Sequence, residues 1–353
     1  MSRLWSAVVR DLTPYVPGEQ PRIADLVKLN TNESPFGPSP RALEAIRAAA
    51  TDDVRLYPDA DATELRETLA AYHGVRPEQI FTGNGSDEVL GHAFVALLKH
   101  EAPLLFPDVT YSFYPSYCRL FGIAYETVAV DEEMRVRVAD YRRPAGAIIL
   151  PNPNAPTSIA LPLGDIETLL SEHADIPVVI DEAYVDFGGE TAIPLIASHP
   201  NLLVVRTMSK SRALAGLRVG YALGEAGLIE AIRRVKDSFN SYPLSRPSQA
   251  GAVASVKDEA HFQESVGAVL ELREKLTEGL VGLGFSVPPS STNFVFARHH
   301  ARGGAELAAA LREKAVLVRH FAKPRIADYL RITVGKEREN AVLLQVLAGI
   351  LAE

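Results

Sequence analysis

Four short apolar stretches constrain this chain more than any other feature. Gln79–Thr82, Ala147–Leu150, Pro177–Ile180 and Leu202–Val205 contain almost no polar alternation. A strand without a polar face is buried on both sides, which requires a parallel sheet covered by helices. Helical patterns fill the intervals. Val89, Leu90, Ala93, Phe94 and Leu97 recur at helical spacing after the first strand. Asp61–Gly74 reads as a helix opened by an Asp61/Glu64 capping box and stopped by Gly74, with Leu65, Leu69 and Tyr72 on one face. Each apolar stretch runs into a polar cluster: Gly83-Asn84-Gly85-Ser86-Asp87, Pro151-Asn152-Pro153-Asn154-Ala155-Pro156, Asp181, and Arg206-Thr207-Met208-Ser209-Lys210. Open α/β sheets bind ligands beyond the carboxyl ends of their strands, so these clusters are expected to share one crevice.

The prolines and the texture of the chain divide it. Residues 1–40 carry Pro14, Pro17, Pro21, Pro35, Pro38 and Pro40 and read as an extended arm. Residues 41–245 read as the large sheet-and-helix domain. Residues 246–353 read as a smaller α+β domain: one or two helices over Ala250–Gly282, strands at Phe294–Ala297, Val316–Val318 and Tyr329–Val334, and helices at Ala305–Lys314 and the C-terminus. A length of 353 residues suits two domains.

Composition excludes several classes. The 36 Lys and Arg against 44 Asp and Glu give a net charge of −8, which argues against a dedicated nucleic-acid or anionic-membrane binder. The single cysteine, Cys118, excludes an internal disulfide and any multi-cysteine metal site. No apolar run approaches the ~18 residues of a membrane span, and residues 1–16 show no signal-peptide core, so a cytoplasmic protein is expected. Glu88 stands where a dinucleotide fingerprint needs its third glycine, and there is no Walker loop, H-E-x-x-H pair or G-x-S-x-G elbow.

Lys210 follows a strand directly, among small and apolar residues. Alone it reads as a solvated loop lysine; with Thr207, Ser209 and Arg218 nearby it reads as a Schiff-base nucleophile beside a phosphate site. Asp181, at the end of an apolar strand, is either a helix cap or a buried charge that needs a cation. Tyr184 lies three residues on. Gly83–Asp87 ahead of a helix is a turn in the ordinary case, and a phosphate cradle if an anion is present. Tyr111 is by default a core aromatic, yet could stack on a planar ring. An amine, an acid for a ring nitrogen, a phenol, a platform and a phosphate cup together match what pyridoxal 5′-phosphate requires.

The chain resembles the fold-type I, aspartate-aminotransferase-like pyridoxal-phosphate enzymes, and within them the histidinol-phosphate aminotransferases. The resemblance runs from Leu12-Thr13-Pro14-Tyr15 through Leu29-Asn30-Thr31-Asn32-Glu33-Ser34-Pro35, Tyr57-Pro58, Ser209-Lys210…Gly216-Leu217-Arg218-Val219-Gly220 and Leu330-Arg331-Ile332-Thr333-Val334-Gly335. It implies the fold of that class, a large domain with a mostly parallel central sheet plus a smaller α+β domain. It implies that Lys210 binds the cofactor covalently and shuttles a proton, that Asp181 pairs with the ring nitrogen, that Tyr184 bonds the ring oxygen and that Tyr111 stacks. Gly85, Ser86, Asp87, Thr207, Ser209 and Arg218 would surround the cofactor phosphate.

The same resemblance implies that Tyr57 reaches the phosphate of a neighbouring subunit, and hence a homodimer with shared sites. Tyr15, Asn32, Arg319 and Arg331 would bind substrate, the two arginines gripping a phosphate. The family string Asn-Pro-Asn-Asn-Pro-Thr-Gly here has Ala155 before Pro156, so Asn154 is expected to take over the missing contact. Arg212 is a second departure. The implied reaction is transamination between histidinol phosphate and 2-oxoglutarate in histidine biosynthesis. Threonine-phosphate decarboxylase and a broad or aromatic amino-acid aminotransferase are the alternatives.

Overall fold

The computed structural model describes residues 3–353. In chain order the elements are α1 (Ala7–Asp11), β1 (Val27–Leu29), α2 (Pro40–Ala49), α3 (Thr63–His73), β2 (Ile80–Asn84), α4 (Gly85–Ala96), β3 (Leu104–Pro107), α5 (Tyr114–Phe121), β4 (Tyr125–Val128), β5 (Ala147–Pro151), α6 (Leu163–Glu172), β6 (Val178–Asp181), β7 (Leu202–Thr207) and β8 (Val219–Gly224). There follow α7 (Ala226–Phe239), α8 (Arg246–Lys257), α9 (Glu259–Gly282), β9 (Phe285–Ser286), β10 (Phe294–His299), α10 (Gly304–Glu313), β11 (Val316–His320), β12 (Tyr329–Thr333) and α11 (Glu337–Ala352). Among the described residues no helix is long and apolar enough to cross a membrane.

The large sheet has the order β2-β8-β7-β6-β5-β3-β4. All its strands run the same way except β8, which is antiparallel to β2 and β7. β5, β6 and β7 are buried along their whole length, as strands without polar alternation must be. Each face of the sheet carries its own core: Ile148, Ile180 and Val204 pack on one side, Ile149, Val179 and Val205 on the other. Val219–Gly224 is not legible as a strand because Gly220 interrupts its short apolar run and Gly224 ends it.

The second sheet has the order β1-β11-β12-β10-β9. Its edge strand β1 comes from the arm and pairs in parallel with β11 through Val27–Leu29 opposite Val316–Val318. Leu29 enters the core of this sheet with Val295, Leu330 and Leu347. The packing of α8 differs from the expected division near Ser245. Ala252, Val253 and Val256 of that helix join the core of the large sheet, so the change from one core to the other comes near Asp258.

The start of α3 also differs from expectation. Asp61 does not cap it. Asp59 does, its carboxylate accepting from the backbone N–H of Thr63 at 2.8 Å and of Asp61 at 3.0 Å. Ala62 occupies the left-handed region (φ 46°), and Asp61 instead pairs with Arg233 at 3.1 Å. A capping carboxylate four residues ahead of the first turn lies outside the S/T/D-x-x-E spacing, which is why the pattern misassigned it. Gly74 ends the helix at φ 68°, as read.

Arg212 has a structural role. Its guanidinium sits 4.0 Å from the Phe262 ring centroid and 5.2 Å from that of Tyr72. It donates to the Ser255 carbonyl at 2.6 Å and pairs with Glu259 at 3.4 Å. One side chain therefore ties α3, α8 and α9 to the loop that carries Lys210. Loss of a charged hydrogen bond and two cation–π contacts from a nearly buried site is worth about 3 kcal/mol. Urea unfolding of Arg212→Ala is expected to show that loss at unchanged m-value; a change below about 0.5 kcal/mol would contradict the clamp.

Candidate active site

The carboxyl ends of β5, β6 and β7 open into a cavity of about 240 Å³. Its walls include Ser86, Asp87, Tyr111, Ala155, Asp181, Tyr184, Thr207, Ser209, Lys210 and Arg218, with Tyr15, Asn32, Arg319 and Arg331 toward the second sheet. Residues spread over more than three hundred positions thus meet in one crevice, where open α/β sheets bind ligands.

Asp181 forms its floor. The carboxylate is 4% exposed; one oxygen accepts from the Tyr114 hydroxyl at 2.9 Å and the other from the Ala183 backbone N–H at 3.2 Å. Burial pushes its pKa from 3.8 to about 6, against the lowering effect of those two hydrogen bonds and with a further push from Asp87. No Lys or Arg forms an ion pair with it among the described residues. A buried acid with hydrogen bonds and no cation is suited to a ligand that brings a protonated nitrogen. Tyr114 was missed in the sequence because nothing marks a tyrosine three residues beyond Tyr111 as other than core.

The Lys210 ammonium lies 3.2 Å from the Thr31 carbonyl and 5.8 Å from the Tyr184 ring centroid. Behind it, Ser211 donates to Asp186 at 2.5 Å, and Asp186 also pairs with the buried Arg206. This pairing locks the loop after β7 to the segment after β6, so amine and acid are held on one rigid frame.

The anion cradle lies at the start of α4. Gly85 has φ 81°, and a Cβ there would fall 2.4 Å from the Arg218 guanidinium. A Cβ on Gly220 would fall 2.3 Å from the Ser86 nitrogen. The two glycines thus let Arg218 and β8 come close against the start of α4. Ser86 and Asp87 are in the first helical turn, where backbone N–H groups lack intrahelical acceptors. The Asp87 carboxylate faces other partners: it pairs with Arg218 at 3.0 Å and accepts from the Tyr111 hydroxyl at 3.0 Å. It fixes the cation and the aromatic platform, and only its N–H is available to an anion. Glu88 accepts from the Asn84 N–H at 2.6 Å and so holds the turn that leads into this helix. Thr207 and Ser209 bond each other at 3.0 Å on the opposite wall.

At the other end of the cavity, Arg319 on β11 and Arg331 on β12 are directly opposed in register. Like charges in that position repel. Neither makes an ion pair among the described residues: Arg319 donates to the Val16 carbonyl at 3.3 Å and Arg331 to the Asn30 carbonyl at 2.7 Å. The Arg331 Nε, buried, has no partner, and burial together with Arg319 holds the Arg331 pKa below its usual value. Two unpaired guanidiniums side by side make a site for a dianion.

Three expected residues do not line the cavity. Gly85 lies behind the Arg218 guanidinium, which a Cβ there would meet at 2.4 Å. Asn154 is buried in its turn, its amide donating to the Val109 carbonyl at 2.9 Å and to Thr157 at 3.0 Å. Ala155, one residue on, lines the cavity, so the geometry gives no support to Asn154 as a replacement contact. Tyr57 is 77% exposed, stacked on Tyr242 at 4.6 Å and remote from this cavity. Asn32 lines the wall, yet it is 1% exposed and its amide is engaged with protein groups on both sides, unlike an open substrate contact.

A buried cation-seeking acid, an amine on the neighbouring strand end and a glycine-shaped anion cradle define a pyridoxal-phosphate-type site on a fold-type I frame. Residues 24–347 match the family model for aminotransferase class I and II, and the chain belongs to that family. It is 63% identical over 351 residues to histidinol-phosphate aminotransferase 2 of Rhizobium meliloti (strain 1021), covering 99% of this chain and 100% of that one. It is likewise 63% identical to the histidinol-phosphate aminotransferase of Gluconacetobacter diazotrophicus, with 99% of each chain covered. Among solved structures, the Sinorhizobium meliloti histidinol-phosphate aminotransferase in complex with pyridoxal-5′-phosphate superposes with a TM-score of 0.88 at 26% identity, covering 100% of this chain and 98% of that one.

The raised Asp181 pKa makes a stability prediction. Between about pH 4 and 6 the folded chain keeps a proton that the unfolded chain has lost, so cofactor-free stability falls as pH rises through this window and the cost is complete above it. Asp181→Asn removes that cost while losing one acceptor for the Ala183 N–H. The cofactor-free variant is expected to be more stable than the parent by about 1–2 kcal/mol at pH 7.5, with the gap closing toward pH 4. Thermal melts across that range check it; a variant less stable at pH 7.5 would refute it.

Proposed function

We propose that the chain is a pyridoxal-5′-phosphate-dependent histidinol-phosphate aminotransferase that uses glutamate and 2-oxoglutarate as the second substrate pair. The observation that carries the substrate class is the opposed, unpaired Arg319–Arg331 pair at the mouth of a cavity whose other end already holds a separate anion cradle. A substrate with its own phosphate occupies the first, and the cofactor phosphate the second.

When bound, the cofactor supplies an electron sink for the substrate Cα–H bond. Asp181 would hold the ring nitrogen protonated, and its burial strengthens that pairing. Lys210 would anchor the cofactor covalently and, once displaced by the substrate amine, take the Cα proton and return it on the other side of the transfer. Tyr111 would cover one face of the ring, and Tyr184 would donate to its phenolic oxygen. Arg218, Ser86, Asp87, Thr207 and Ser209 would bind the phosphate, with Gly85 leaving room for the Arg218 guanidinium. Tyr15 would line the substrate end with the two arginines.

The reading includes a homodimer. Tyr57, exposed and outside the lining of its own cavity, would reach the cradle of a second copy, together with the exposed Tyr242 on which it stacks.

Purified protein is expected to carry a visible absorbance band that histidinol phosphate discharges. Lys210→Ala should lack the band and lose at least about 10³ in kcat, because anchor and proton carrier go together. Near-normal turnover by that variant would end the proposal. Arg319→Ala is expected to lower kcat/KM for histidinol phosphate at least about tenfold more than for glutamate, since a charge-assisted bond to a dianion is lost. Equal losses would instead favour an amino-acid aminotransferase, and release of carbon dioxide a decarboxylase.

A further inference from the structure

Ala155 lacks the side chain that the resemblance places beside the cofactor's phenolic oxygen, so the contact there falls to Tyr184. What directs that phenol is a chain of hydrogen bonds from the small sheet. The Thr333 hydroxyl accepts from the Asn32 backbone N–H at 3.0 Å, so its own proton goes to the Asn32 Oδ1 at 3.2 Å. This fixes which way the amide faces. The Asn32 Nδ2 then donates to the Tyr184 hydroxyl oxygen at 2.9 Å. Asn293 holds the segment from the other side by donating to the Asn32 carbonyl at 3.0 Å.

Asn32 adopts φ 56°, a left-handed conformation that asparagine tolerates better than most residues. It is buried, and every atom of its amide is engaged. We infer that Asn32, oriented by Thr333, is a positioning residue: it occupies the acceptor side of the Tyr184 hydroxyl and so obliges that hydroxyl to donate into the cavity. A hydroxyl has one proton and two lone pairs; with an N–H already on the oxygen, donation toward the cofactor is the remaining favourable arrangement. The charged groups facing Tyr184 are Lys210, 5.8 Å from its ring, and Arg331, with Asp181 elsewhere on the cavity wall. None of them takes over the role of Asn32.

The inference rests on the roles given above to Lys210 and Tyr184. Donation to the phenolic oxygen stabilises its anionic form, so losing it makes the cofactor's shared proton harder to remove. The test reads the pH midpoint of the visible band in the loaded dimer, together with kcat and KM. Asn32→Gly keeps the positive φ and deletes the amide; Thr333→Val frees the amide to turn and carries the test should the glycine variant not fold. Each is expected to raise the midpoint by about one pH unit, the equivalent of a tenfold change in proton affinity, and to lower kcat more than it raises KM. In a Tyr184→Phe background, Asn32→Gly should add less than about 0.3 unit, because its effect passes through the phenol.

A Tyr184→Phe shift with a silent Asn32→Gly overturns this inference alone. So do fully additive shifts, or a change confined to KM for histidinol phosphate, which would make Asn32 a substrate contact. A silent Tyr184→Phe overturns the role of Tyr184 and this inference with it.

Discussion

Asp181 is a carboxylate taken out of water with two hydrogen bonds and no cation to answer it. Burial of an acid in that way is costly, and the chain accepts the cost at the point where the most deeply buried strands of the large sheet end. The rest of the architecture serves to make the arrangement hold. Tyr114 and the Ala183 N–H satisfy the carboxylate oxygens from the protein side. The opposite side is left for a ligand. The raised proton affinity of this acid follows from its low-dielectric setting, and the same setting strengthens any pairing with a cation.

Around this acid the fold places cations at two distances. Arg218 stands at the helix N-terminus and is steadied by Asp87; Arg319 and Arg331 stand across the cavity on a different sheet. The separation puts one group of cations at each end of the cavity, with Lys210 on the wall between them. Two guanidiniums opposed on adjacent strands weaken that sheet unless something negative lies between them. Local instability of this kind is common where residues serve a site rather than the fold.

The arm binds these parts together. Its strand β1 completes the small sheet, and the turn that follows supplies carbonyls to Lys210 and Arg331 and the Asn32 amide to Tyr184. Prolines on both sides of it limit the conformations open to the segment before folding, which lowers the entropy lost on docking. Arg212 performs a comparable service on the far side of Lys210, where its clamp on α3, α8 and α9 keeps the loop in place.

Much of this was legible without coordinates. Apolar strands with no polar face require a covered parallel sheet, and the order of strand, cluster and helix requires the clusters to lie at one end of it. That logic put Lys210, Asp181 and the Gly85 turn at one end of the sheet, Arg218 followed from its place eight residues after Lys210, and the family resemblance added Arg319 and Arg331. Residues whose roles depend on contacts between distant segments were not legible. Tyr114 supports Asp181 across 67 positions, Asn32 reaches Tyr184 across 152, and the turn around Asn154 faces away from the cavity while Ala155 faces it. Periodicity reports which side of an element is buried; it carries no information about which buried polar atom meets which. Local chemistry in the sequence determined the frame and the reactive groups, and three-dimensional packing alone decided the hydrogen-bond partners that aim them.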